Sequence, residues 1–134
     1  MALHTWMFDR KVRDVLVPAA SVLREDATIQ AAWSQCRSSD APIAVVRSDG
    51  GLAGIVGARD VLDWLARGLD ANERIGRLLA VRPLAVSGEL CVFDVLVTMQ
   101  RTRVASLAVT DAGGKLLGMV ALTDILNAAV SPVF

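Results

Sequence analysis

Hydrophobic residues in this chain recur with two periods. Ile29, Ala32, Trp33 and Cys36 stand at i, i+3, i+4 and i+7, and Val92, Val95, Leu96 and Met99 repeat that spacing. Each set marks one face of a helix, over 28–37 and 91–101. Four short apolar runs, 42–46, 52–56, 104–109 and 116–120, read as buried strands. Ser48-Asp49-Gly50-Gly51 joins the first two and Asp111-Ala112-Gly113-Gly114 the second two. Asp and Gly between apolar runs predict hairpins, because glycine enters positive φ without a Cβ clash. Helices follow over 58–67, stopped by Gly68, and over 122–130. Brief extended pieces are expected around Val22-Leu23 and Ala85-Val86, preceded by lead-ins over 12–18 and 75–81. Asp26 or Thr28 caps the helix over 28–37. The order is β-α-β-β-α, twice.

The doubling is visible residue by residue. At an offset of 64, positions 41–62 fall on 105–126 with nine identities: Ala41/Ala105, Ala44/Ala108, Val45/Val109, Gly50/Gly114, Leu52/Leu116, Gly54/Gly118, Val56/Val120, Asp60/Asp124 and Leu62/Leu126. At an offset of 63 the first helices superpose, and Val12, Val15 and Leu16 fall on Ile75, Leu78 and Leu79. The second copy therefore carries one extra residue between its first helix and the next strand. The organisation is an extension over 1–11, a first copy over 12–67, a linker over 68–74, a second copy over 75–130 and a tail over 131–134. Copies this small bury little alone, so the expectation is an α/β (α+β) fold whose two sheets pack face to face about a pseudo-twofold axis, leaving two related clefts.

Composition narrows the function classes. The chain has 134 residues, 54% of them hydrophobic, with 14 Lys plus Arg against 14 Asp plus Glu. That is too apolar for a disordered segment, and the zero net charge gives no support to nucleic-acid binding. No apolar stretch approaches the ~20 residues of a spanning helix. Cys36 and Cys91 have no metal-ligand spacing and read as buried thiols in a reducing compartment. His4 is the single histidine and lies near a chain end, so neither a Ser-His-Asp triad nor a multi-histidine metal site can be assembled. Trp33 and Trp64 sit at apolar helical positions, and Trp6, Met7 and Phe8 form an apolar cluster outside the repeat.

The polar residues that stand out are at the strand-to-helix junctions, Gly57-Ala58-Arg59-Asp60 and Ala121-Leu122-Thr123-Asp124. A helix start offers free N–H groups to a phosphate, and a carboxylate one turn in can accept both hydroxyls of a ribose diol. An Asp in a first turn is also favourable by ~0.3–1 kcal/mol with no ligand present. Gly51, Gly54 and Gly57 lack dinucleotide-binding spacing and read as turn chemistry.

Val12-Arg13-Asp14-Val15-Leu16-Val17-Pro18, Glu25-Asp26-Ala27-Thr28-Ile29, Ala41-Pro42-Ile43-Ala44-Val45-Val46 and the junction ending in Asp60 resemble a CBS domain, and the second copy resembles another. The pair is similar to the cytoplasmic CBS module of the CNNM/CorC (HlyC-related) membrane proteins, whose lead-in and helix-start motifs resemble Val12–Pro18, Gly57-Ala58-Arg59-Asp60-Val61-Leu62 and Val120-Ala121-Leu122-Thr123-Asp124-Ile125-Leu126. The resemblance implies a non-catalytic regulatory module, cytoplasmic or the cytoplasmic part of a membrane protein. Such a module binds an adenosine nucleotide (ATP, ADP or AMP, with or without Mg²⁺) and controls a magnesium or cobalt transport protein. It implies a homodimer formed through CBS pairs, a membrane domain in the same parent protein and no bound metal. Asp60 and Asp124 would hold ribose hydroxyls. Gly57 and Ala121 stand where the family has Ser or Thr on phosphate, leaving that contact to Arg59 and Thr123. Backbone and apolar atoms around Val17, Ala80, Pro42, Ile43, Ser106 and Leu107 would wall the adenine. The missing hydroxyls keep two alternatives open: a structural dimerisation module with vestigial clefts, and a stand-alone module regulating another partner.

Overall fold

The computed structural model describes residues 3–16, 21–37, 42–79 and 85–130. Their elements run α1 (Leu3–Asp9), a 3-10 turn (Val12–Asp14), β1 (Val22–Arg24), α2 (Ile29–Cys36), β2 (Ile43–Val46), β3 (Leu52–Val56), α3 (Ala58–Ala66), a second 3-10 turn (Ile75–Leu78), β4 (Ala85–Ser87), α4 (Val92–Thr102), β5 (Ser106–Thr110), β6 (Leu116–Ala121) and α5 (Leu122–Val130). The predicted β-α-β-β-α order is present twice. Thr28, rather than Asp26, caps α2, its Oγ1 accepting the Ala31 N–H at 3.1 Å. The added residue of the second copy falls where Arg103, after α4, takes φ 58°. A left-handed residue there reverses the chain into β5.

Each copy supplies a three-stranded sheet. β1 runs parallel to β2 (Leu23↔Val45) and β2 antiparallel to β3 (Ala44↔Ile55), with a bulge at Val45/Val46. β4, β5 and β6 repeat this with Val86↔Val109, Ala108↔Met119 and a bulge at Val109/Thr110. Gly50 and Gly114 occupy the same place in the two hairpins with φ of 87° and 82°, as the turn reading requires. The other glycines of the first run act differently. The Gly51 N–H donates to Asp49 Oδ1, whereas a Cβ at Gly54 would lie 2.8 Å from Leu79 Cδ2. Gly54 is thus a packing glycine, letting the segment after the second 3-10 turn cross β3 closely.

The two compact units do not coincide with the two sequence copies. One comprises residues 19–84 and the other joins residues 1–18 to 85–134. In the unit around the first sheet, Ile29, Ala32, Ile43, Val45, Val56 and Val61 close over Ile75, which belongs to the lead-in of the second copy. In the unit around the second sheet, Val92, Val95, Leu107, Val109, Val120 and Ile125 close over Val12, from the lead-in of the first. Backbone pairing matches this exchange. Ile75 N–H donates to Ala27 O at 2.7 Å, and Val12 N–H to Leu90 O at 2.8 Å. Residues just before each lead-in satisfy a helix start, Glu73 O accepting from Ile29 N–H and Arg10 O from Val92 N–H. Each lead-in thus completes the sheet and helix pair of the other copy.

Residues 3–9, which lack a repeat partner, form α1 rather than an unstructured extension. Trp6 and Met7 pack on the second-sheet core, and Phe8 stacks on Phe93 with ring centroids 4.6 Å apart. His4 lies within that helix. Cys36 and Cys91 form no disulfide and are only half-buried. Trp33 and Trp64 pack half-buried against the first-sheet core, and no helix among the described residues is long and apolar enough to cross a membrane.

Candidate functional site

β3 ends at Val56, whose side chain is in the core, and α3 begins two residues later. Gly57 is the cap residue, with extended dihedrals of −97° and 165°. It has no side chain to accept a hydrogen bond, so Asp60, three residues on, reaches back. Its Oδ2 accepts the Gly57 N–H at 2.9 Å. In the second copy Asp124 Oδ2 accepts the Ala121 N–H at 2.8 Å. The duplicated aspartates therefore share one conformation, a carboxylate folded onto its own helix start. Among the described residues the other oxygen of each has no hydrogen-bond partner. Asp60 is exposed and Asp124 half-buried.

Leu122 N–H, the first of α5, donates to Ala105 O at 2.8 Å, so one of the free donors expected there is already engaged. Thr123 and Arg59 are both exposed. Arg59 lines a hollow of about 330 Å³ between the end of α2 and the start of α3, together with Trp33, Cys36, Arg37, Ala58 and Leu62. Gly57 and Asp60 do not line it.

At the expected adenine wall, backbone and side chains differ in what they offer. Ile43 and Leu107 are 1% and 0% exposed within their own units' cores, so their side chains are occupied there. What these positions present is backbone, beside half-buried Pro42 and Ser106. Val17 and Ala80 lie outside the described residues. Within each unit the structure brings Asp60 to Gly57 and Asp124 to Ala121.

Sequence reasoning missed two hollows at the hairpin end of the sheets. One, in the first-sheet unit, holds Arg24, Arg74 and Arg77 beside Glu25, Asp26 and Glu73, so its lining is charge-balanced. The other, about 480 Å³ in the second-sheet unit, is lined by Leu16, Leu117 and Gly88 under Arg13 and Glu89. Glu89 is held by Lys11 at 2.6 Å and Arg13 at 3.0 Å. The hydrogen bond from Lys11 holds its carboxyl below the ordinary value of 4.5, with the charges of Arg13 and Lys11 adding to the effect and desolvation opposing it. No spacing along the chain signals these pairs, because the partners are 76 and 78 positions apart.

Comparison with known proteins follows the same duplication. The model of the family described as CBS domain matches residues 12–67 and 77–131. No curated protein matches the chain. Among solved structures, the chain is similar to Hypoxic Response Protein I with two coordinated zinc ions. The two are 27% identical, with TM-score 0.77, over 92% of this chain and 100% of that one. It is also similar in fold to the CBS domain of the bacterial CNNM/CorC family Mg²⁺ transporter in complex with ATP (19% identity, TM-score 0.80, 98% and 94% covered). A CBS domain protein from Pyrobaculum aerophilum complexed with AMP is similar as well (20% identity, TM-score 0.77, 92% and 100% covered). Among the described residues no group of three or more His, Cys, Asp or Glu is placed to hold a metal ion.

Proposed function

Because the chain belongs to the CBS domain family and carries the domain twice, we propose that it is a non-catalytic regulatory module that binds an adenosine nucleotide at its two strand-to-helix junctions. The observation that carries this reading is the matched pair of aspartates. Each is fixed through one oxygen on its helix-cap N–H, at 2.9 and 2.8 Å, and the other oxygen has no hydrogen-bond partner among the described residues. A carboxylate held this way is pre-oriented for a ribose diol, which lowers the ordering cost of binding. The neighbouring N–H groups suit a phosphate. The likeness to CBS structures in complex with ATP and AMP supports the ligand class.

The same reading assigns the output. A nucleotide regulates only if it binds one arrangement of the module better than another, and the difference is transmitted to an attached protein. On the motif running from Val12 to Pro18, that protein handles a divalent cation such as magnesium or cobalt, and the module works as a cytoplasmic homodimer. A structural dimerisation role is favoured by a different observation. Gly57 and Ala121 offer no hydroxyl, and Leu62, Leu122 and Leu126 are 54%, 38% and 52% exposed.

Thermal unfolding with ATP, ADP and AMP, with and without Mg²⁺, separates the two. A ligand at 100 times its Kd adds about 2.7 kcal/mol to stability. The expected result is a rise in Tm that Asp60→Asn, Asp124→Asn or both remove. No rise with any adenine nucleotide at millimolar concentration overturns the nucleotide reading, and a rise that survives both substitutions overturns the site.

A further inference from the structure

The hollow of about 480 Å³ at the hairpin end of the second sheet is opened by a glycine. Gly88 follows β4 and is buried. Its backbone is held on both sides, its N–H donating to Thr110 O at 3.0 Å and its O accepting the Arg13 N–H at 3.2 Å. Its φ is not positive, so the backbone conformation does not call for a glycine. The need is for space. A Cβ on Gly88 would lie 3.0 Å from Leu117 Cδ1 and 3.4 Å from Arg13 Cβ, so a side chain there would fill the gap between β6 and the lead-in. The floor of the gap is apolar, with Leu117 45% exposed and Leu16 half-buried.

The charges in the lining are unequal in their pairing. Glu89 is saturated, with Arg13 on one oxygen at 3.0 Å and Lys11 on the other at 2.6 Å. Asp111 also lines the hollow. Its Oδ1 accepts the Gly113 and Lys115 N–H groups at 2.9 and 3.0 Å, which fixes the hairpin turn. No cationic side chain among the described residues lies within ion-pair distance of that carboxylate. The repeat supplies an internal comparison. At the positions matching Ser87, Gly88, Asp111 and Leu117 the first copy has Arg24, Glu25, Arg47 and Ala53. The glycine that makes room becomes a long acid, the unpaired acid a base and the leucine an alanine. A sheet of the same topology forms around both sets, so the fold does not demand the second. The hollow is at the Leu117 end of β6, and the Asp124 junction lies past its Ala121 end, roughly 13 Å along the strand.

We propose that this hollow is a binding site for a small organic cation, an ammonium group carried on an aromatic ring or branched alkyl chain. The ring or chain lies on Leu117 in the space Gly88 leaves, and its removal from water supplies most of the affinity. Asp111 pairs with the ammonium group and supplies the selectivity for positive charge. The volume is within the range of small-molecule pockets, which combine an apolar lining with a few polar groups.

The test uses the full chain and phenethylamine, which is protonated at neutral pH, as probe. Phenethyl alcohol is the uncharged isostere and ethylamine the headgroup alone. Binding is read from backbone amide NMR, in which Gly88, Asp111 and Leu117 report the hollow and residues 121–124 the nucleotide junction. Phenethylamine is expected to give saturable shifts at the first set and not the second, and to bind more tightly than either control. Leu117→Ala, the residue of the first copy, should weaken it about fivefold. Leu117 is exposed, so the fold tolerates the change. Asp111→Asn keeps an oxygen for the turn. It should weaken phenethylamine about threefold and leave phenethyl alcohol unchanged. Absence of shifts up to about 10 mM, equal affinity for phenethylamine and its alcohol, or a Kd unchanged by Leu117→Ala overturns the proposal. Shifts largest at residues 121–124 also overturn it, because the probe would then occupy the nucleotide junction. Concentration-dependent shifts of Gly88 and Leu117 without probe, lost in Leu117→Ala, assign the hollow to a second copy of the chain and overturn it as well.

Discussion

Truncating Ile75 to alanine tests whether the lead-ins are exchanged between the copies. By sequence Ile75 opens the second copy, yet its side chain is 0% exposed in the core around the first sheet. The substitution removes three carbons from that core. At about 0.8 kcal/mol per buried methylene the transfer loss is roughly 2.4 kcal/mol. The cavity left behind raises the total to about 3 kcal/mol, within the ~2–5 kcal/mol range of Ile-to-Ala changes. Native-state hydrogen exchange gives the location. Protection of amides in α2, β2 and β3 should fall about 100-fold, since ~1.4 kcal/mol is a factor of ten. Amides in α4, β5 and β6 should change less. Val12→Ala should give the reciprocal pattern, weakening β5 and β6 more than β2 and β3. The reasoning is refuted if Ile75→Ala opens the second sheet in preference to the first.

Other expectations follow from the same geometry. Asp60→Ala and Asp124→Ala should each cost about 1 kcal/mol in denaturant unfolding without any ligand, because each removes a helix-cap hydrogen bond and a favourable first-turn charge. Ligand loss in these variants therefore has to be read at a temperature where both remain folded. Gly114→Ala should cost about 1–2 kcal/mol by the same assay, since φ of 82° is strained for any residue with a Cβ, while neighbouring Gly113→Ala should be nearly neutral. Glu89 should titrate below 4.5 by carbon-detected NMR, and Lys11→Met should move it back up. Its folded value is depressed, so its contribution to stability is present above the unfolded value and fades as pH falls through the folded one.

Much of the secondary structure was legible because local chemistry and tertiary environment agree. The i, i+3, i+4, i+7 sets became α2 and α4, and the Asp-Gly turns became hairpins, within one or two residues at most ends. The largest boundary error, β5 beginning at Ser106 rather than Val104, traces to the left-handed Arg103, which no propensity forecasts. α1 escaped because a single seven-residue helix has no duplicate to reveal it and is held by its contacts on α4. The exchange of lead-ins also escaped. Val12 and Ile75 are equivalent residues, and nothing in either sequence says which of two nearly identical cores receives it. At the candidate site the aspartates were legible as helix-start residues, but not the reach of each carboxylate onto its own cap N–H. The burial of the Ile43 and Leu107 side chains was legible too, because an apolar residue opening a central strand satisfies the core first.

The exchange bears on how such a chain can arise and be divided. A half-chain cut between Arg67 and Gly68 keeps a lead-in that fits the other half and lacks the one that fits itself. Two such halves regain a full set of contacts only by trading segments, so a single repeat is a self-complementing piece whose natural closed form is a pair. Gene duplication then needs no new interface. It joins two pieces that already complete one another, and frees each to diverge where the other is constrained, as Arg24 and Arg47 of the first copy and Leu117 of the second have done.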